Sequence, residues 1–220
     1  VAWLAALRVA PLERLDAWLY DGWLRQGATA GADERIAILD IDEKSLAELG
    51  RWPWNRATMA TLMDRLFDDY GAAALGFDVV FAEPDTSSGL AQLETLAQRE
   101  FRGDAAFAAK LAALKPGLDY DARFAAALRE RPISLGYYFI PAGLGNNRAG
   151  LLPPPALPDA GPPLTAPAPT GFGANLPAFQ RANPVGGYFN MLADADGTAR
   201  RMHLVTPYQG GRYLSLSAAT

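Results

Sequence analysis

Gly71-Ala-Ala-Ala-Leu-Gly-Phe-Asp-Val-Val-Phe-Ala-Glu-Pro-Asp85 opens on a glycine, runs through apolar residues without helical spacing, and ends among acids. A short apolar run bounded by turn residues predicts a strand buried on both faces, here Ala72–Phe81. Upstream, Arg35-Ile-Ala-Ile-Leu-Asp-Ile-Asp42 has the same form and predicts another such strand. Between the two runs, Asp42 offers an N-cap for a short helix, Glu43–Leu49, which Gly50 ends. Arg51-Trp-Pro-Trp54 is a loop, because the residue before Pro53 avoids helix. Asn55 can cap a helix over Arg56–Tyr70, with Met59, Leu62, Met63, Leu66 and Phe67 on its apolar face and Gly71 as its stop. Strand, helix and strand in this order predict a right-handed βαβ unit.

Working outward, residues 12–25 place Leu12, Leu15, Trp18 and Leu19 at helical spacing. Residues 90–100, 104–114 and 121–131 are alanine-rich and helical in pattern. Ile133-Ser-Leu-Gly-Tyr-Tyr-Phe-Ile140 reads as a third strand. Residues 141–182 carry Pro153-Pro-Pro155 and Pro162-Pro163 and read as a long loop. Gly187–Leu192 and Thr198–Val205 flank Asp194-Ala-Asp-Gly197, which predicts a β-hairpin. Gly210-Gly211 offers a further turn before a last helix near Leu214. The fold class expected is α/β: one domain over residues 1–220, with a mixed sheet of about five or six strands, helices on both faces, a βαβ core and a C-terminal hairpin.

Composition narrows the function. The chain has 220 residues, a net charge of -4, one histidine and no cysteine. That balance argues against a nucleic-acid binder, which carries a basic field. Without cysteine there are no disulfides and no thiolate metal sites. Lysine occurs only at Lys44, Lys110 and Lys115, with arginine supplying the other cations, a bias of GC-rich bacterial genomes. Residues 1–12, VAWLAALRVAPL, are apolar but broken by Arg8 and Pro11. They read as the end of a longer hydrophobic segment or as an ordinary packed helix, and the chain as an excerpt of a longer protein.

The chemistry on offer is acidic. Asp40 and Asp42 close the first expected strand, Asp78 lies near the end of the second, and Glu83 and Asp85 follow. In open α/β sheets, ligands bind beyond the carboxyl ends of the strands, so these acids form a candidate site for a divalent cation or a cationic ligand. Against this, Asp42 and Asp85 can simply cap helices, and Arg51 or Arg56 can neutralise Asp78. Trp52 and Trp54 can wall a pocket beside Arg56, or plug the core below the loop. His203, beside Arg200 and Arg201, reads as structural. No G-x-S-x-G elbow, P-loop or dinucleotide fingerprint is present. Asp40-Ile-Asp42 fits the start of the D-x-D-x-[TV] signature of haloacid-dehalogenase phosphohydrolases, but Lys44 stands where that pattern wants Thr or Val. No catalytic residue and no cofactor is expected.

Two long stretches carry a family resemblance. R-I-A-I-L-D-I-D-E-K-S-L-A-E-L-G-R-W-P-W-N-R at 35–56 and G-A-A-A-L-G-F-D-V-V-F-A-E-P-D at 71–85 resemble the second class of CHASE domains, the cyclase/histidine-kinase-associated sensory extracellular domains. G-Y-F-N-M-L-A-D-A-D-G-T-A-R-R-M at 187–202 and Y-L-S-L-S-A-A at 213–219 are similar to that family's closing hairpin and last helix. The stretches at 87–130 and 141–170 depart from the pattern as insertions. The resemblance implies a sensor outside the cytoplasmic membrane, flanked by transmembrane helices. It implies a cytoplasmic output such as an adenylate or diguanylate cyclase or a kinase, and a homodimeric receptor. It implies no catalytic residues in the sensor itself and leaves the signal unidentified. The competing expectation is a module that acts through a protein partner or dimerisation without a small ligand.

Overall fold

The structure, a computed structural model, describes residues 10–28, 31, 33–160, 162, 164, 166, 168–191, 193, 194 and 196–220. The expectation for residues 1–9 therefore lies outside the described residues. The chain groups into two compact units, Val1–Glu48 and Leu49–Thr220.

In the first unit, helix α1 covers Ala10–Gly27, as the leucine and tryptophan spacing predicts. The strand expected at 35–42 is not formed. The chain turns at Asp33, whose carbonyl accepts from the Ile36 amide at 3.0 Å, and then runs extended without ladder hydrogen bonds. Ile36, Ile38 and Leu39 stay 72%, 91% and 58% exposed. An apolar run specifies a wish for burial, but a strand exists only where a neighbour offers its backbone. Asp42 does cap α2, Glu43–Leu49, accepting from the Ser45 amide at 2.8 Å.

The second unit is α/β. Helix α3, Arg56–Asp64, continues as a π-helical turn over Arg65–Asp69, and Gly71 follows at φ +64. Strand β1 spans Leu75–Phe77, shorter than the run that predicts it. Helices α4 (Leu90–Arg99), α5 (Ala105–Leu118) and α6 (Tyr120–Leu128) carry the chain to β2, Ile133–Ile140. The parallel pair is β1 with β2, in register Leu75↔Ile133. The βαβ unit is thus β1, α4–α6, β2, and not the one expected around α3.

The proline-rich stretch is not a structureless loop. It holds β3 (Arg148–Ala149), β4 (Leu157–Pro158), β5 (Gly171–Gly173) and α7 (Pro177–Ala182). Strand β6, Gly186–Tyr188, runs parallel to β2. Strands β7 (Val205–Tyr208) and β8 (Gly211–Leu214) make the last hairpin, and α8 covers Leu216–Ala219. The mixed five-stranded sheet runs β1-β2-β5-β3 with β6 also on β2, and β4-β8-β7 form a separate antiparallel sheet.

The hairpin expected at 187–205 is replaced. A tight turn does form at 194–198, where the Asp194 amide donates to the Thr198 carbonyl at 2.9 Å. However, β6 pairs with β2, and β7 pairs with β8 across Gln209-Gly210. Both turn residues have positive φ, +46 and +80, which suits a two-residue hairpin turn whose twist matches the strands.

One face of β2 serves two cores in turn. Ile133 and Leu135 join Met59, Met63, Phe77, Phe81, Phe124, Leu128 and Phe179 between the sheet and helices α3, α6 and α7. Farther along, Tyr137 and Phe139 join Tyr188, Tyr208 and Tyr213 between the two sheets. On the other face Gly136 leaves room for its neighbours: a Cβ there would sit 2.0 Å from the Phe77 carbonyl oxygen. Asn190 extends β6 with its side chain, donating to the Phe139 carbonyl at 2.8 Å and accepting from its amide at 2.6 Å.

Tyr137 is fully buried and its hydroxyl has no hydrogen-bond partner among the described residues. A buried unpaired hydroxyl costs about 1–3 kcal/mol, so Tyr137→Phe is expected to raise the unfolding free energy by about 1 kcal/mol in urea titration. A loss of that size would show the hydroxyl to be satisfied. Burial also pushes the phenol's pKa far up. A raised folded-state pKa gives stability that is present below the ordinary tyrosine value and lost as pH rises past about 10. The same variant should soften that alkaline loss.

Candidate functional site

The first residue of α3 is the centre of a buried charge cluster. The Arg56 amide is one of the orphan donors of a helix N-terminus, and it donates to Asp85 Oδ2 at 2.6 Å. Asn55 supplies the ordinary cap, accepting from the Thr58 amide at 2.8 Å. Asp85 is held in turn by the Ser87 amide at 2.8 Å, and its own amide donates to Asp121 Oδ2 at 3.1 Å. Asp121 stands in the first turn of α6. Three distant segments are therefore locked through two carboxylates.

The Arg56 guanidinium lies over the Phe81 ring, 4.6 Å from its centroid, with Phe179 at 5.9 Å. Its Nη2 donates to the Glu83 carbonyl at 3.3 Å. Its Nε stands 3.9 Å from Asp121 Oδ1, too far for a hydrogen bond, and both atoms are buried without a partner. Arg56 is only 9% exposed. An arginine on aromatic faces is well placed for low-polarity surroundings, yet one donor and one acceptor here face each other across a gap.

The protonation equilibria follow. Burial lowers the Arg56 pKa, against the pull of Asp121 and Asp85. Burial pushes the Asp85 carboxyl up, but hydrogen bonds from Ser87 and the Arg56 amide outweigh it and hold the carboxyl below its ordinary range. At Asp121 burial wins over the Asp85 amide and Arg56, so its carboxyl is raised. Two acids a few ångströms apart are thus driven in opposite directions, which is a common feature of functional clusters and of structural ion networks alike.

Of the residues singled out from the sequence, Arg56, Asp85 and the backbone of Glu83 meet here; the Glu83 side chain is exposed. Trp52 and Trp54 stack edge to face at 5.6 Å, half-buried, and both pack on the Phe81–Phe124 core. The peptide between Trp52 and Pro53 is cis, and Trp54 Nε1 donates to the Gly50 carbonyl at 2.9 Å. Asp78 is exposed just beyond β1. Asp40 is exposed, and Asp42 is engaged with Ser45; both belong to the 1–48 unit. Among the described residues, no group of three or more acids, histidines or cysteines is gathered to hold a metal ion. Asp121 and Phe179 are the residues the sequence reading misses. Asp119-Tyr-Asp121 at a helix start was the available signal for the first; nothing in the proline-rich stretch marks the second. Elsewhere, Arg200 pairs with Asp194 at 3.0 Å and Asp196 at 2.8 Å.

The family model that matches this chain is described as the CHASE2 domain and covers residues 1–220. Comparison with curated proteins and with solved structures gives no match.

Proposed function

The chain belongs to the CHASE2 domain family, whose members are extracellular sensory domains of receptors, and we propose that it is the extracytoplasmic signal-input domain of a bacterial transmembrane receptor. The output is an adenylate or guanylate cyclase, a diguanylate cyclase or a sensor kinase, and the receptor works as a homodimer. The domain itself performs no chemistry. The observation that carries this reading is the family match over the whole length of the chain. None of the described helices is long and apolar enough to cross a membrane, so this reading assigns the membrane passage to segments flanking the described residues.

A signal acts only through its different affinity for two states of the receptor. The Arg56–Asp85–Asp121 cluster supports such a role, because a small rearrangement that closes the 3.9 Å gap between Arg56 Nε and Asp121 Oδ1 would satisfy both atoms. Trp52, Trp54 and Glu83 stand beside it as contact candidates; Asp40, Asp42 and Asp78 remain candidates on exposed chain.

The chain has no cysteine, which makes the topology directly testable. In the full-length receptor carrying Ala142→Cys, a membrane-impermeant maleimide should label intact spheroplasts above the level of the parent receptor. Deleting residues 49–220 should change the output activity of isolated membranes. Labelling only after lysis, or unchanged output, defeats the proposal.

A further inference from the structure

We infer that the cleft between the two sheets is a binding site for a small carboxylate. This goes beyond the Arg56 cluster and rests on the sensory reading only for its physiological meaning. The cleft is a shallow groove open to solvent, with a volume of about 460 Å³. It opens between β3, the turn before β5 and the β7–β8 hairpin. Its cation is Arg148, exposed on β3. With the Gln209 amide turned so that its oxygen faces the guanidinium, that oxygen accepts from Arg148 Nη1 at 3.1 Å and Nη2 at 2.9 Å. A neutral amide thus occupies the fork that a carboxylate fits best. No acid among the described residues lies within ion-pair distance of Arg148. Asp159, the acid in the cleft wall, is already engaged by Arg212 Nε at 3.0 Å.

The second observation is Tyr208. It lines the cleft, is 5% exposed, and its hydroxyl is buried with no hydrogen-bond partner. Its ring is fixed by Phe139 at 5.2 Å and Phe172 at 6.0 Å, so this part of the cleft wall is rigid. An oxyanion displacing the Gln209 oxygen would take over the same two donors, Arg148 Nη1 and Nη2. Pro169 and Pro207 offer apolar wall for a hydrocarbon body. One unspent guanidinium, with no second free cation among the described residues of the wall, matches a singly charged carboxylate better than a phosphate.

The position suits signalling. Ligand bound here would tie β3 to the β7–β8 turn, and β8 leads through Ser215 straight into α8. That helix packs so closely on β6 that a Cβ on Gly187 would lie 2.4 Å from Leu216 Cα. The hairpin and the last helix are therefore continuous in the chain, and the helix is tightly packed on β6.

The test uses the 220-residue chain, titrated with benzoate and hexanoate, with benzyl alcohol and inorganic phosphate as counterparts, and followed by amide and arginine side-chain NMR shifts. Saturable shifts around Gln209 and Gly210 with either carboxylate are expected. Affinity should fall at least tenfold in Arg148→Gln, and benzyl alcohol should not saturate. Arg148 is exposed, so Arg148→Gln should fold like the parent, which circular dichroism checks. No saturable binding of either carboxylate, equal binding in Arg148→Gln, or phosphate binding as tightly as the carboxylates overturns the assignment. Because the readout is binding, it stands or falls apart from receptor output. Carboxylate binding that leaves output unchanged in membranes would keep the site and remove its signalling role.

Discussion

Arg56→Ala is expected to lower the unfolding free energy by about 3–5 kcal/mol, the cost of breaking a buried ion network from one side. Three losses combine. The Phe81 and Phe179 rings lose the guanidinium that lies over them. The Glu83 carbonyl loses a donor. Asp85 and Asp121, joined by a hydrogen bond, are left without the cation between them. The helix cap itself survives, since Asp85 receives the backbone amide of residue 56 and not its side chain. Arg56→Met should therefore cost less than Arg56→Ala, because it keeps apolar contact with the rings. The pH dependence separates charge from packing. Removing the cation raises the Asp121 carboxyl further above its ordinary value, in the direction burial already drives it. A raised folded-state pKa contributes stability that is present below the unfolded value and lost as pH rises through the folded one. The deficit of Arg56→Ala should thus be larger near about pH 7 than near about pH 5 in urea denaturation. A deficit under about 1 kcal/mol at both values would mean that the cluster is solvated and contributes as little as a surface pair.

How far this cluster could be read from the sequence depends on the range of the contact. Asn55, Asp42 and Gly50 act on residues within four positions, and each was legible as a cap or a stop because capping chemistry is local. Ile133–Ile140 was legible because its apolar run is long and, in the fold, buried by partners along its length. The run at 35–42 has the same composition, yet it stays extended and exposed. Apolar content does not say which backbone will be offered as a neighbour. Conversely, Gly171-Phe-Gly173 has no strand propensity. It becomes β5 because Tyr138–Ile140 lie beside it with free ladder groups, a fact written in β2 and not in its own residues. The acids were read as one group because they all follow expected strand ends. The fold draws Asp85 to Arg56, leaves Asp78 in solvent, and brings in Asp121 from a helix start 36 residues beyond Asp85. Pairing across that distance depends on the helical crossover α4–α6, whose path the sequence pattern does not encode.

The same limit hides the residue that ties the sheet together. Asn175 is fully buried just past β5. Its Oδ1 accepts from the Phe81 amide at 2.8 Å, and its Nδ2 donates to the Gly136 carbonyl at 2.8 Å. One amide thus satisfies a donor beyond β1 and an acceptor on β2 where the chain offers neither a strand partner. Asn175→Ala should leave both backbone groups unpaired in the core and cost about 2–6 kcal/mol, from about 1–3 kcal/mol for each orphaned group. Asn175→Asp is the informative companion. Ionised, its carboxylate keeps the bond from the Phe81 amide but faces the Gly136 carbonyl oxygen without a proton and sits in the core as an unpaired charge. Protonated, it can accept from Phe81 and donate to Gly136, as the amide does. Its folded-state pKa should therefore be raised well above the ordinary aspartate value of about 3.9. By linkage its stability is present at low pH and lost as pH rises through that raised value. In parallel urea titrations, Asn175→Asp should be no more stable than Asn175→Ala near about pH 8 and should gain on it steadily toward about pH 4. Using the alanine variant as reference cancels the acid-side losses that Asp85 and the other paired carboxylates impose on both proteins. A constant difference across that range would mean the side chain at 175 reaches water, and that the clamp between Phe81 and Gly136 does not depend on it.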